Sequence, residues 1–266
     1  MVRDVLLLDL DETLMVEEPA AVAAFRATAR RAAAICELDP QALALAARAR
    51  ARELWYESPT HPYCKRVGIS SWEGLWCRYD TATPDMQQLR AWAPTYRREA
   101  WRRALADQNV DDIELAEELG ERFMVERRAR HQTFPDARRA VRELSDRFTL
   151  AVVTNGASCL QREKLAASGL ADRFAAVVVS GDVGAAKPDP APFRHALAVL
   201  GVEHAVMVGD SVEKDIMGAL GAGLDAVWLN RRGRPRPDRL DVPEVVSLAD
   251  LADTLTGAAA RADCGA

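Results

Sequence analysis

Val5-Leu6-Leu7-Leu8-Asp9-Leu10-Asp11 is the stretch that decides the fold. An apolar run closed at once by acid reads as a buried strand of a parallel sheet, covered on both faces. In open α/β sheets, chemistry gathers at the carboxyl ends of the strands. Here that end carries two carboxylates two residues apart. At roughly 4 Å they would repel by about 4 kcal/mol in an effective dielectric near 20. Such crowding calls for a cation, a raised pKa or both, and either marks a working site.

Three further apolar runs end the same way. Leu150 to Val153 runs into Thr154-Asn155-Gly156. Ala175 to Val179 runs into Ser180-Gly181-Asp182, with Lys187-Pro188 close behind. Ala205 to Val208 runs into Gly209-Asp210-Ser211, and Asp215 follows. Four strand ends thus bring carboxylates for a hard cation and hydroxyl, amide and ammonium groups for an anion. Mg²⁺ is bound through one or two carboxylates, with substrate phosphate oxygens completing its shell. Phosphoryl transfer is the chemistry this set suggests.

Asp9-Leu10-Asp11-Glu12-Thr13-Leu14, Thr154-Asn155-Gly156, Lys187-Pro188 and Gly209 to Asp215, in this order, resemble the four motifs of the haloacid dehalogenase superfamily. The resemblance runs over residues 4–229 apart from one large insertion, and it is to the phosphatase branch with a helical cap of the C1 type. It implies an α/β fold with a Rossmann-like parallel sheet core over residues 1–15 and 132–256. An all-helical cap would occupy residues 16–131, with a flexible tail over 257–266. By the same resemblance Asp9 is the nucleophile that forms an aspartyl-phosphate. Asp11 is general acid and then base, and its backbone carbonyl joins Asp9 and Asp210 around Mg²⁺. Thr154 and Asn155 donate to the phosphoryl oxygens, and Lys187 stabilises the transition state. Asp215 either reaches the metal through water or orients Lys187. Asp182 and Ser211 support the others from behind.

The residues also weigh the reactions. Halide displacement in this superfamily needs neither an acid two residues after the nucleophile nor Mg²⁺, and this chain keeps both Asp11 and Asp210. Phosphonate cleavage uses a cap lysine, and nothing singles out Lys65. Glu12-Thr13 fits hydrolases better than mutases. The expectation is a phosphomonoester hydrolase. A phosphomutase, a haloacid dehalogenase and a noncatalytic binding module are the alternatives. Gly209 to Asn230 is similar to the corresponding stretch of N-acylneuraminate-9-phosphate phosphatases and 5′-nucleotidases, which implies a sugar phosphate or a nucleoside monophosphate.

With 266 residues, 49% hydrophobic and 28% charged, the chain has the composition of a soluble protein with a sizeable core. A net charge of −5 disfavours nucleic acid and anionic membrane as partners. No run reaches the ~18 apolar residues of a membrane span. With no basic leader, the expected place is the cytoplasm, and the expected partner is a small phosphate ester; a homodimer is compatible. The 5 cysteines include no CxxC pair and the 4 histidines no metal spacing, so neither a disulfide framework nor a zinc site is indicated. Lysine is rare: Lys65, Lys164, Lys187 and Lys214 stand among 35 basic residues, which makes a lysine at a motif position more telling.

From residue 20 to 131 the apolar period becomes helical, in stretches 20–34, 41–55, 85–105 and 112–130. Asp39-Pro40 and Asp111-Asp112 look like helix starts. Later helices are expected at 135–147, 159–168, 190–200 and 212–222. Five of the 6 tryptophans fall in the insertion. Trp72, Trp76 and Tyr79 share a helical face that suits core packing, or else a stacking surface. A polar loop is expected at 61–66. The basic, proline-rich 231–237 is read as a solvated surface turn.

Overall fold

The computed structural model describes residues 4–255. The expected tail and Cys264 lie outside the described residues. The chain runs β1 (Val5–Leu8), α1 (Glu18–Ala33), α2 (Pro40–Glu57), α3 (His61–Val67), α4 (Ser71–Gly74), α5 (Pro84–Ala106), α6 (Ile113–Arg128) and α7 (Ala137–Arg147). Then follow β2 (Thr149–Thr154), α8 (Ser158–Ser168), β3 (Ala176–Val179), α9 (Ser180–Val183), α10 (Ala191–Leu200) and β4 (Val206–Gly209). A π-helical turn (Val212–Met217), α11 (Gly218–Gly221), β5 (Asp225–Leu229) and β6 (Glu244–Val245) complete it. Contacts divide the chain into two compact units.

The first unit takes the chain up to Val16, Thr133–Asn155 and the chain from Lys164 onward. Its six strands form one parallel sheet in the order β3-β2-β1-β4-β5-β6. The unbroken apolar run of β1 is explained by the alternation of a strand buried on both faces. Leu6 and Leu8 pack with Val152, Val208 and the α7 residues Val141 and Leu144. Val5 and Leu7 pack with Ala151, Val153, Met207 and the α10 residues Phe193 and Ala196. This is the Rossmann-like α/β core the sequence implies.

The second unit is helical and takes Glu17–Gln132 with Gly156–Glu163. Helices α1, α2, α5 and α6 close a ring, each packed on two others. Asp39 accepts from Gln41 N–H at 2.7 Å with Pro40 next to it, and Asp112 accepts from Leu115 N–H at 2.9 Å, so both expected helix starts are capped. Phe25, Trp101 and Phe123 pack in the middle, with Phe25 and Phe123 ring centroids 4.4 Å apart. Trp76 and Tyr79 are buried there and Trp72 is partly buried, so all three serve the core, but the expected shared helical face is absent: α4 ends at Gly74 and Tyr79 sits at φ 53°. Ala157 and Leu160 belong to the same core, although their segment follows a sheet strand in sequence.

Three local expectations change. The polar loop at 61–66 is helix α3. The short strand β6 has no counterpart among the expected elements. The helix expected at 212–222 begins as a wide π turn, in which Asp215 and Ile216 N–H both reach the Ser211 carbonyl. Among the described residues the cysteines are free thiols, with Cys77 and Cys159 sulfurs 3.6 Å apart. No described helix is long and apolar enough to cross a membrane.

Candidate active site

The chain leaves β1 for β2 and β3 on one side, and β4 and β5 extend the sheet on the other. The crevice between the ends of β1 and β4 is therefore the topological switch point, where open α/β sheets bind ligands. Asp9 leaves β1 with its N–H bonded to the Val208 carbonyl at 3.0 Å. Asp210 leaves β4 one residue past that strand's last position. Gly209 sits between them for a steric reason: a Cβ there would lie 2.3 Å from the Asp215 carboxyl carbon. Only glycine lets Asp215 fold back over the strand end.

Lys187 organises the buried acids. Its ammonium donates to Asp9 at 2.8 Å, to Asp215 at 2.6 Å and to the Val153 carbonyl at 2.6 Å, so its three protons are taken by three acceptors. Burial alone would lower its pKa, but Asp215 and Asp9 outweigh burial and hold it above its usual value. Asp215 also accepts from Ser211 N–H at 3.0 Å. Burial, aided by Asp9, raises the Asp215 carboxyl, against the pull of Lys187. Of the two roles open for Asp215, the orientation of Lys187 is the contact present. Asp210 has no lysine. Burial first, then Asp9 and Asp215, push its carboxyl up to about 7.

Asp11 is held by a residue that no sequence motif singles out. Lys164 of α8 donates to both Asp11 oxygens, at 2.9 and 3.1 Å, and is itself fully buried. Its stretch Gln161-Arg162-Glu163-Lys164 looks like an ordinary solvated helix face. The one available signal is the scarcity of lysine.

The remaining expected residues divide. Thr154 ends β2 and is buried beside Lys187's anchor, Val153. The Asn155 side-chain amide closes on the Lys187 main chain. It accepts from Lys187 N–H at 2.8 Å and donates to the Lys187 carbonyl at 3.0 Å. Its amide thereby fixes the segment that carries the lysine. Ser211 caps the π turn, accepting from Lys214 N–H at 3.2 Å. Asp182 is exposed on α9 and stands outside the buried carboxylate cluster.

The arginine-rich segment is exposed from Arg232 to Pro237, as the solvated turn read from the sequence requires, and its first residue turns inward. Arg231 is mostly buried, bonded to Asp136 and to the Thr13 carbonyl at 3.0 Å each. Arg232 pairs with Glu12 at 2.7 Å, and Arg234 stands 3.5 Å from Asp210. The segment ties itself to both acidic strand ends.

One carboxylate oxygen from each of Asp9, Asp210 and Asp215 lies within 4.8 Å of the others. An all-oxygen donor set suits a hard cation such as Mg²⁺. Both Asp215 oxygens already accept hydrogen bonds, which leaves Asp9 and Asp210 as the carboxylates best able to hold it. The residues present fit such an ion.

Comparison with known proteins agrees with this geometry. A family described as haloacid dehalogenase-like hydrolase matches residues 3–223. A phosphoserine phosphatase of Thermus thermophilus is 42% identical over 233 residues, 86% of this chain and 90% of that protein. An N-acylneuraminate-9-phosphatase of Mus musculus is 32% identical over 67% of this chain and 70% of its own. Among solved structures, a 2-haloacid dehalogenase from Pseudomonas syringae pv. Tomato superposes with a TM-score of 0.60 at 31% identity, covering 96% of this chain and 99% of that one. On its sheet, its carboxylate crevice and these matches, the chain belongs to the haloacid dehalogenase-like hydrolase family.

Proposed function

We propose that this protein is a Mg²⁺-dependent phosphomonoester hydrolase working through an aspartyl-phosphate on Asp9. The observation that carries the reading is the buried Asp9–Lys187–Asp215 arrangement with Asp210 alongside, a surplus of carboxylate at one strand-end crevice. Asp9 and Asp210 would hold the cation with the Asp11 carbonyl, and bound Mg²⁺ would offset the charge of an approaching phosphate dianion. The Asp9 carboxylate attacks phosphorus and the ester P–O bond breaks. Asp11 gives a proton to the departing oxygen, then takes one from the water that hydrolyses the acyl phosphate. Lys187 and the Thr154 hydroxyl stabilise the charge on the phosphoryl oxygens. The Lys187–Asp215 contact keeps that ammonium fixed throughout.

Similarity to a haloacid dehalogenase raises the rival reading. Asp11 and the Asp210 carboxylate argue against it, since displacing halide calls for neither a proton donor nor a cation at the leaving group. For the substrate, O-phosphoserine leads, because the relative named for it matches most of this chain. Sugar phosphates and nucleoside monophosphates follow. The residues 16–131 would act as the cap that shapes this choice and excludes water. A cytoplasmic, homodimeric enzyme is compatible with the sequence. The test is phosphate release from O-phosphoserine, sugar phosphates, nucleotides and p-nitrophenyl phosphate, with and without Mg²⁺, beside Asp9→Asn. Release that needs both the ion and Asp9 is expected. Release that survives chelation or Asp9→Asn would remove the mechanism.

A further inference from the structure

The pair Asp9 and Asp11 poses the problem raised by the sequence: two close carboxylates must coexist. The structure answers with two buried lysines. Lys187 takes Asp9 and Asp215, whereas Lys164 takes Asp11. Lys164 arrives by a different route, from α8, which starts four residues after Thr154. Both Asp11 oxygens lie within 3.1 Å of one ammonium. One ammonium seated between both oxygens restrains rotation of the carboxylate, whose torsion is otherwise broad in aspartate. Asp11 itself is only partly buried, with 26% of its side chain exposed, so burial alone does not lock it.

Packing alone gives no reason for a lysine here. Lys164 is fully buried and its neighbour Leu165 lies in the sheet core. A methionine would fill that volume without the cost of desolvating an ammonium. We infer that Lys164 is a positioning residue for Asp11: it sets the carboxylate orientation from which Asp11 exchanges a proton with the leaving-group oxygen. This rests on the phosphatase reading above and adds to it a residue acting on one step, departure of the alcohol.

The leaving group provides the test. An alkoxide cannot leave without a proton, so its departure depends on a correctly aimed acid. p-Nitrophenolate leaves unprotonated at neutral pH. The parameter kcat/KM reports the steps through ester cleavage. Lys164→Met should lower kcat/KM for β-glycerol phosphate by about a hundredfold, the size of a misplaced general acid. For p-nitrophenyl phosphate the fall should be no more than about fivefold, since that ester takes no proton from Asp11. Lys164→Arg should recover part of the loss on the alkyl ester. The double variant Asp11→Asn with Lys164→Met should be no slower than Asp11→Asn alone, because both remove one function. An equal fall on both esters, or additive losses in the double variant, would overturn the inference and leave Lys164 a purely structural residue. If Lys164→Met does not fold, Lys164→Gln and Lys164→Arg are compared on the same pair of esters: a fall confined to the alkyl ester supports the inference, and an equal fall on both overturns it. Absence of release from either ester by the unaltered protein would instead sink the phosphatase reading, and this inference with it.

Discussion

Both units bury charge, but they balance it differently. In the helical unit, Arg127 pairs with Glu17 at 2.6 Å, Glu126 pairs with both Arg122 and Arg130, and buried Glu73 accepts from Ser70 and Gln161. In the sheet unit, Asp9, Asp11, Asp210 and Asp215 crowd the strand ends, with Lys187 and Lys164 as the buried cations. A structural cluster can be neutral. A site that must receive a cation and then a phosphate dianion keeps acid in reserve. The local charge imbalance, more than burial itself, separates the working region from the scaffold.

The sharpest way to break this comparison is to remove the reserve. Asp9→Asn is isosteric and should cost on the order of a thousandfold or more in kcat, read as phosphate release. Its melting temperature should change little beside that loss. An active Asp9→Asn protein would mean that the crowded acids are scaffold after all. Lys187→Met comes next, and it should fail on both counts. It leaves Asp9 and Asp215 buried and uncompensated, a loss of about 3–5 kcal/mol in a denaturant titration. Activity should vanish with it. An unchanged denaturation midpoint would show that Lys187 is not the hub of the cluster.

How much of this is legible in the sequence depends on where each residue's partners lie. Asp9, Thr154, Lys187 and Asp210 are legible because each ends or follows an apolar run, and the end of a parallel strand fixes its place in space. Lys164 is not, since a helix position among Gln161, Arg162 and Glu163 has no local sign of burial; only the packing of α8 takes it to Asp11. The π turn at Val212–Met217 is hidden for the same reason. Within it Asp215 reaches Lys187, a residue 28 positions earlier. Asn155 can be located but not oriented, because sequence shows that an amide is present and not which way it faces. The arginines at 231–236 are legible as exposed but not as paired, because charge and proline look the same whether or not acids wait beneath.

A gentler probe is pH in the presence of a chelator. The Asp210 carboxyl sits at about 7 in the folded protein against a usual 3.8. Between those values the folded state holds a proton that the unfolded chain has lost. Asp210 therefore makes stability fall as pH rises through that window, and the fall ends above neutrality. Mg²⁺ should raise the melting temperature most where the fall is complete, since the ion binds the ionised carboxylate. Asp210→Asn should remove the part of the decline nearest neutrality, leaving the part that the raised Asp215 carboxyl contributes, and should abolish the Mg²⁺ response. A melting temperature in the native protein that ignores Mg²⁺ across the range would deny the cation site.

The smallest effect comes from the balanced unit, and its sign is opposite. Burial would raise the Glu126 carboxyl, but Arg130 and Arg122 outweigh it and hold it below the usual value. Its contribution is thus present at neutral pH and is lost as pH falls through the acid range. Both arginines are partly exposed, at 29% and 49%, so screening keeps the contribution to about 0.5 kcal/mol. Glu126→Gln should lower the neutral-pH melting temperature slightly, leave phosphate release intact, and flatten the acid limb alone. Asp210→Asn should flatten the neutral limb alone. Two variants that bend the stability profile at opposite ends would separate the two ways of burying charge within one chain. If Glu126→Gln instead altered the Mg²⁺ response, the division of labour between the units would have to be redrawn.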